Sequence, residues 1–296
     1  MKDLESVRAD IDFHPNESIT AGENTFKAGG KPQGGCQEEI NIEFNLNERF
    51  YGVIPEKEVI EKGNIVIALM GASDRSISYV KDENYKLEAL QQRFLNENIP
   101  GHKGMVFNYA EGGDYIKRFI TENGRFQKEV QDKIKTTDVV FISYGLNDAK
   151  HYSPQIFKEY LVKLIDLIYR ENPNIKIILE TSTWFDYPEY YSYDRNKVIA
   201  PYYEVIIALA QEKKLPLLDN TKLLAYKKSQ GVWDLRIRNQ GLALENYGER
   251  FIFDSKHDKE MVAKYGVQWF TDAHTNYQGT AIIAIHQYQM LKKAFL

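Results

Sequence analysis

The chain has 296 residues, 43% of them apolar, which suffices for one large α/β domain with a sizeable core and rules out a wholly disordered chain. A net charge of −4, with Lys and Arg dispersed, argues against a nucleic-acid binder, whose binding domain carries a basic excess. The single cysteine, Cys36, excludes an intrachain disulfide and has no His-rich surroundings that would activate a thiol. No apolar segment of signal-peptide length opens MKDLESVRAD, and no apolar run approaches the ~18–20 residues of a membrane span. Localisation is left open between the cytoplasm and, for a chain whose signal has been removed, export.

Residues 1–62 differ in character from the rest of the chain. A polar start leads into the Gly-rich GENTFKAGGKPQGGCQ. EEINIEFNL then alternates, with Ile40, Ile42 and Phe44 opposite Asn41, Glu43 and Asn45, which predicts a half-exposed strand with RFYGVIP as its partner. This N-terminal extension is expected to form a small antiparallel β element, packed on the main domain or on another subunit in an oligomer.

From Gly63 onward strands and helices alternate. Ile65–Met70 is an unbroken apolar run closed by Gly71, Ala72 and Ser73, the pattern of a strand buried on both faces of a parallel sheet. Residues 85–96 are expected to be helical and 105–110 to form the second strand. Helix comes next at 114–119 and 125–134 around the Asn123-Gly124 break, and residues 138–144 form the third strand. Ser153 and Pro154 are a favoured N-cap and first helical residue, and Phe157, Leu161, Leu164 and Ile168 make one stripe behind them. Residues 175–180 and 215–219 are the fourth and fifth strands, with helix at 198–213 and again at 276–294. Single helices between strands imply right-handed crossovers and a sheet covered on both faces.

Four polar clusters fall at strand ends or before the last helix: Ser73 in MGASD, Gly113 in NYAEGGD, Asn147 in GLND and His274 in DAHTN. A parallel sheet gathers such clusters at the carboxyl ends of its strands. The set comprises a hydroxyl, a glycine loop with backbone N–H groups, an amide and an imidazole, which are the parts acyl transfer needs. Taken singly each has a plainer reading: a turn, a tight Gly-Gly bend, an Asn-Asp helix cap, a packed histidine. Their order and placement carry the weight.

Together the clusters resemble the four ordered blocks of the SGNH (GDSL-like) hydrolases, over roughly residues 63–296. The resemblance implies a three-layer α/β/α fold with a five-stranded parallel sheet, and ester hydrolysis through an acyl-enzyme without metal or organic cofactor. It assigns Ser73 as nucleophile, His274 as general base, and the backbone of Ser73 and Gly113 with the Asn147 amide as oxyanion donors. Two positions depart from the pattern. The usual Gly-Asp-Ser reads Gly71-Ala72-Ser73, with Asp74 after the serine. The acid usually three residues before the histidine is Thr271 here, while Asp272 stands two before. Asp272 is therefore the candidate to orient the imidazole, with a backbone carbonyl or another acid as alternatives. Asp272 and His274 lack a second ligand cluster with metal-binding spacing.

The stretch from Thr181 to Arg195 holds Trp184, Tyr187 and Tyr190 among six aromatic residues. In this fold it would overhang the serine, and rings there suit a pyranose face. A packed loop or a subunit contact explains the same rings. The sequence reading is a serine esterase acting on an acylated, most simply acetylated, carbohydrate. The alternatives are an O-acetyltransferase with the same chemistry and a non-catalytic glycan-binding module.

Overall fold

The computed structural model describes residues 19–21, 24–26, 43–44, 52, 60, 63–77, 83–99, 101, 103–183, 195–229, 237–238, 263–264, 270–272, 274–275 and 277–296. Five strands make the main sheet: β1 (Asn64–Gly71), β2 (Lys103–Asn108), β3 (Val139–Ser143), β4 (Lys176–Glu180) and β5 (Leu217–Leu218). Their order is β2-β1-β3-β4-β5, and every pairing is parallel. The expected α/β class and five-stranded parallel sheet are thus observed.

The apolar run of β1 is divided by the pleat. Ile65, Ile67 and Leu69 enter one core cluster, and Ala68 and Met70 the other. The first cluster is covered by α2 (Leu87–Asn98) and by the C-terminal helix α6 (Tyr277–Ala294), whose Ala281–Ile285 run is buried throughout. The short helix α1 (Ser73–Ser76) lies between β1 and α2 in the chain. The second cluster is covered by a helical stretch ending at Ile134, by α3 (Pro154–Glu171) and by α4 (Arg195–Lys213). In α3 the Ser153 hydroxyl caps the Ile156 N–H at 3.4 Å, and the buried stripe is the one expected, with Ile165 added. Burying a Leu or Ile side chain contributes about 1.5–3 kcal/mol, so a charge anywhere on these stripes breaks the layer.

Two departures from the expected elements have physical reasons. β2 begins at Lys103, two residues earlier than expected, because Gly104 packs under Leu95 of α2, where a Cβ would lie 2.6 Å from Leu95 Cδ1. The glycine marks a close approach, not a turn. Between β2 and β3 the helix winds loosely, with π-type turns at Arg118–Glu122 and Phe126–Val130 around Gly124, whose φ is +60°.

α5 (Asn220–Ser229) comes after β5. α6 runs from the carboxyl edge of the sheet towards its amino edge. Gln287 reaches Glu180 at the end of β4, and the Phe295 carbonyl accepts from Ile60 N–H ahead of β1. Apart from the main sheet, Ile19–Ala21 pairs antiparallel with Asn24–Phe26 and parallel with Glu43–Phe44. The expected pairing of residues 38–46 with 49–55 falls largely outside the described residues. Gly52 donates to the Leu217 carbonyl at 3.1 Å, against the β5 edge.

Candidate active site

The first block turns sharply out of β1. A Cβ on Gly71 would lie 2.7 Å from the Ser143 carbonyl oxygen and 2.9 Å from Arg75 Cγ, so only glycine fits where β1 crosses the end of β3. Ala72 is extended, and Ser73 opens α1, half-buried. The helix stops at Ile77, a buried β-branched residue held at φ 44° with its N–H on the Ser73 carbonyl. Left-handed backbone at such a residue costs about 1–3 kcal/mol and is tolerated where the surroundings over-determine it. The strain sits four residues from the proposed nucleophile.

The second block lies against the first. Glu111 N–H donates to the Gly71 carbonyl at 3.3 Å, and the Asn108 side chain donates to the Arg75 carbonyl at 2.8 Å. Gly113 is exposed with φ +75°, and nothing crowds the place of its missing side chain. The adjoining Asp114 is fully buried and pairs with Arg125 at 3.0 Å. Arg118 and Arg125 also hold Glu111, at 2.7 and 3.1 Å. Burial pushes the Asp114 carboxyl up to about 6, against the opposing pull of Arg125.

The third block closes on the second. The Asn147 amide donates to the Asp114 carbonyl at 3.1 Å, and its Oδ1 accepts from Lys150 Nζ at 3.2 Å. Nδ2 carries a second proton beside the one given to Asp114. Asp148 does not cap a helix. Its Oδ2 accepts from Gly145 N–H at 2.9 Å, and its Oδ1 from Ile116 N–H at 3.0 Å and from the Tyr152 hydroxyl. One carboxylate thereby clasps the second and third loops together. Burial raises its pKa, and the hydrogen bonds from Tyr152, Ile116 and Gly145 oppose that. Beside it the rings of Tyr115 and His151 stack with centroids 3.8 Å apart, and His151 is exposed.

Ser73, Gly113 and Asn147 therefore belong to three loops joined by direct hydrogen bonds at one edge of the sheet. His274 is half-buried on the segment that enters α6, where Thr275 and Thr280 hydroxyls meet at 3.0 Å. Asp272 closes the short strand Phe270–Asp272, which pairs antiparallel with Ile237–Arg238. Trp184, Tyr187 and Tyr190 lie outside the described residues. Among the described residues no cluster of three His, Cys, Asp or Glu side chains could hold a metal, and no helix is long and apolar enough to cross a membrane.

The sequence reading missed the polar layer beneath the serine. Asp74 and Arg75 are each 1% exposed, and Arg75 Nε donates to Glu180 Oε2 at 3.0 Å. Burial alone would lower the Arg75 pKa, but Glu180 and Asp74 outweigh it and raise the value. The available signal was a charge pair directly after a buried strand and a glutamate ending the apolar run IKIILE.

A family model, the GDSL-like lipase/acylhydrolase family, matches residues 70–241, more than half of the chain. No curated protein matches the sequence. Among solved structures, the acetyl xylan esterase AlAXEase superposes with a TM-score of 0.53 at 20% identity, covering 76% of this chain and 98% of its own. Axe2, an acetylxylan esterase from Geobacillus stearothermophilus, gives 0.51 at 16%, with coverages of 77% and 94%. LAE5, an α/β hydrolase from the metagenome of Lake Arreo, gives 0.52 at 15%, with 77% and 95%. At these identities the likeness is one of fold.

Proposed function

Because the chain belongs to the GDSL-like lipase/acylhydrolase family and is an ester hydrolase, we propose that it removes O-acyl groups, most simply acetyl, from a carbohydrate through an acyl-enzyme on Ser73. The observation that carries this is the joining of the Ser73, Gly113 and Asn147 loops at the carboxyl edge, by the Glu111–Gly71 and Asn147–Asp114 hydrogen bonds.

In this reading His274 takes the Ser73 proton as Oγ attacks the ester carbonyl. The N–H groups of Ser73 and Gly113 and the free proton of the Asn147 amide receive the oxyanion. The C–O bond breaks, the sugar alkoxide leaves with the proton from His274, and the acyl group stays on Ser73. Water, deprotonated by His274, then attacks the acyl-enzyme and releases the carboxylic acid. Asp272 orients the imidazole. Lys150, on the Asn147 carbonyl oxygen, polarises the amide and strengthens its N–H as a donor.

The carbohydrate preference rests on the Tyr115–His151 stack beside the oxyanion loops and on the aromatic stretch with Trp184, Tyr187 and Tyr190. Two of the structural relatives bear the name acetyl xylan esterase, which agrees with it. The test is hydrolysis of p-nitrophenyl acetate and a panel of acetylated oligosaccharides by wild type, Ser73→Ala and His274→Ala. Both variants should fold and lose turnover. Undiminished hydrolysis by Ser73→Ala overturns the reading.

A further inference from the structure

Beneath the serine lies a chain of buried polar groups that the proposed chemistry does not use. Arg75 Nη1 donates to Asp74 Oδ2 at 3.1 Å, Nε to Glu180 Oε2 at 3.0 Å, and Nη2 to the Thr181 carbonyl at 3.3 Å. Asp74 Oδ2 also accepts from the hydroxyls of Ser143 and Ser182. On the far side of Glu180, Gln287 Nε2 donates to Oε1 at 3.0 Å and to Oε2 at 3.2 Å, and Asn220 donates to Oε1 at 3.4 Å. Asp74, Arg75, Glu180, Asn220 and Gln287 are all buried.

Two carboxylates and one guanidinium in a dry interior are a poor device for stability. Their desolvation offsets most of their attraction, and an apolar layer of equal volume serves as well. What such a network does supply is a fixed geometry, because any shift leaves a charge uncompensated. Its ends matter. One end is Arg75 on α1, two residues after Ser73. The other is Gln287 on α6, thirteen residues after His274 on the helix that the His274 segment enters. A helix is stiff, so the height at which Gln287 is held on Glu180 sets where the start of α6 stands above the sheet.

We propose that Arg75, Glu180 and Gln287 form a strut that fixes the register between the nucleophile turn and the helix led by the general base. They are positioning residues, acting through Ser73 and His274, so the proposal rests on the assignment of those two residues. It also accounts for Asp74 standing after the serine, because that position lets the carboxylate face Arg75 under the turn. A misplacement of about 1 Å between reacting groups can cost on the order of 100-fold in rate.

The test removes the α6 end of the strut. Gln287→Met keeps the side-chain length and deletes the amide, leaving Glu180 paired with Arg75 and Asn220. With p-nitrophenyl acetate, kcat is expected to fall about 10- to 100-fold while KM stays within about 2-fold. The decisive readout is the double variant. On a His274→Ala background, Gln287→Met should change the residual rate by less than about 2-fold, since no base is left to misplace. A general loosening of the fold would lower both backgrounds alike. Should Gln287→Met not fold, Gln287→Asn keeps the amide, shortens its reach by one methylene, and is held to the same outcomes. A folded variant with wild-type kcat, or an equal loss with and without His274, overturns the strut while the esterase reading stands. Turnover that survives Ser73→Ala removes both.

Discussion

His286 gives the sharpest stability test. It is fully buried on α6, and burial together with the nearby Arg75 charge pulls its imidazole down to about 3 from an ordinary 6.5. The hydrogen bonds say which neutral form is present. Asn220 Nδ2 donates to Glu180 and to the Thr181 carbonyl, which fixes Asn220 Oδ1 as an acceptor. Nδ1 of His286, 2.8 Å from that oxygen, therefore carries the ring proton. The unfolded chain takes up a proton near 6.5, whereas the fold refuses it until about 3. The contribution is thus complete above pH 6.5 and is lost as pH falls from 6.5 towards 3. At about 1.36 kcal/mol per pH unit, the loss is about 2 kcal/mol at pH 5 and about 3 kcal/mol at pH 4. Urea unfolding of wild type and His286→Asn at pH 8 and pH 5 measures it. The Asn amide can stand where Nδ1–H stood and does not titrate, while every other titrating group contributes equally to both proteins. Wild type should lose about 2 kcal/mol more than His286→Asn between the two pH values. Equal losses would refute a buried neutral imidazole at this position.

Asp114 works in the opposite direction. Its folded value of about 6 lies above the ordinary 3.8, so its contribution is fullest in acid and is lost as pH rises from 3.8 through 6. Asp114→Asn should therefore steepen the fall in stability on acidification, read from the same urea series. If Asn147 is the oxyanion donor proposed above, Asn147→Ala is expected to lower kcat about 100- to 1,000-fold. It should also lower Tm, because the Asp114 carbonyl loses its partner. Gly71→Ala drives a Cβ against the Ser143 carbonyl and should cost about 1–3 kcal/mol by thermal or urea melting. Gly113→Ala meets open space but must hold φ +75°, so its cost is about 1–2 kcal/mol of backbone strain, with a larger loss in kcat than in stability.

The alternation of the chain made the parallel sheet legible, since a short apolar run such as Ile65–Met70, closed by Gly71, suits a strand covered on both faces. Side-chain reach was less legible. Asp148 looked like a helix cap and is a clasp between two loops, because its partners, Ile116 and Gly145, are set by tertiary proximity. Gly104 lay outside the expected strand, and only the packing of Leu95 over it shows why a glycine stands there.

By itself the sequence determined the order of elements, the two-sided core and the four blocks, because those arise from periodicity and from chemistry carried in adjacent residues. The tertiary structure alone decided what lies under the serine. Whether Asp74 and Arg75 face solvent or one another depends on Glu180 and Gln287, more than a hundred residues away, and no local pattern encodes that meeting.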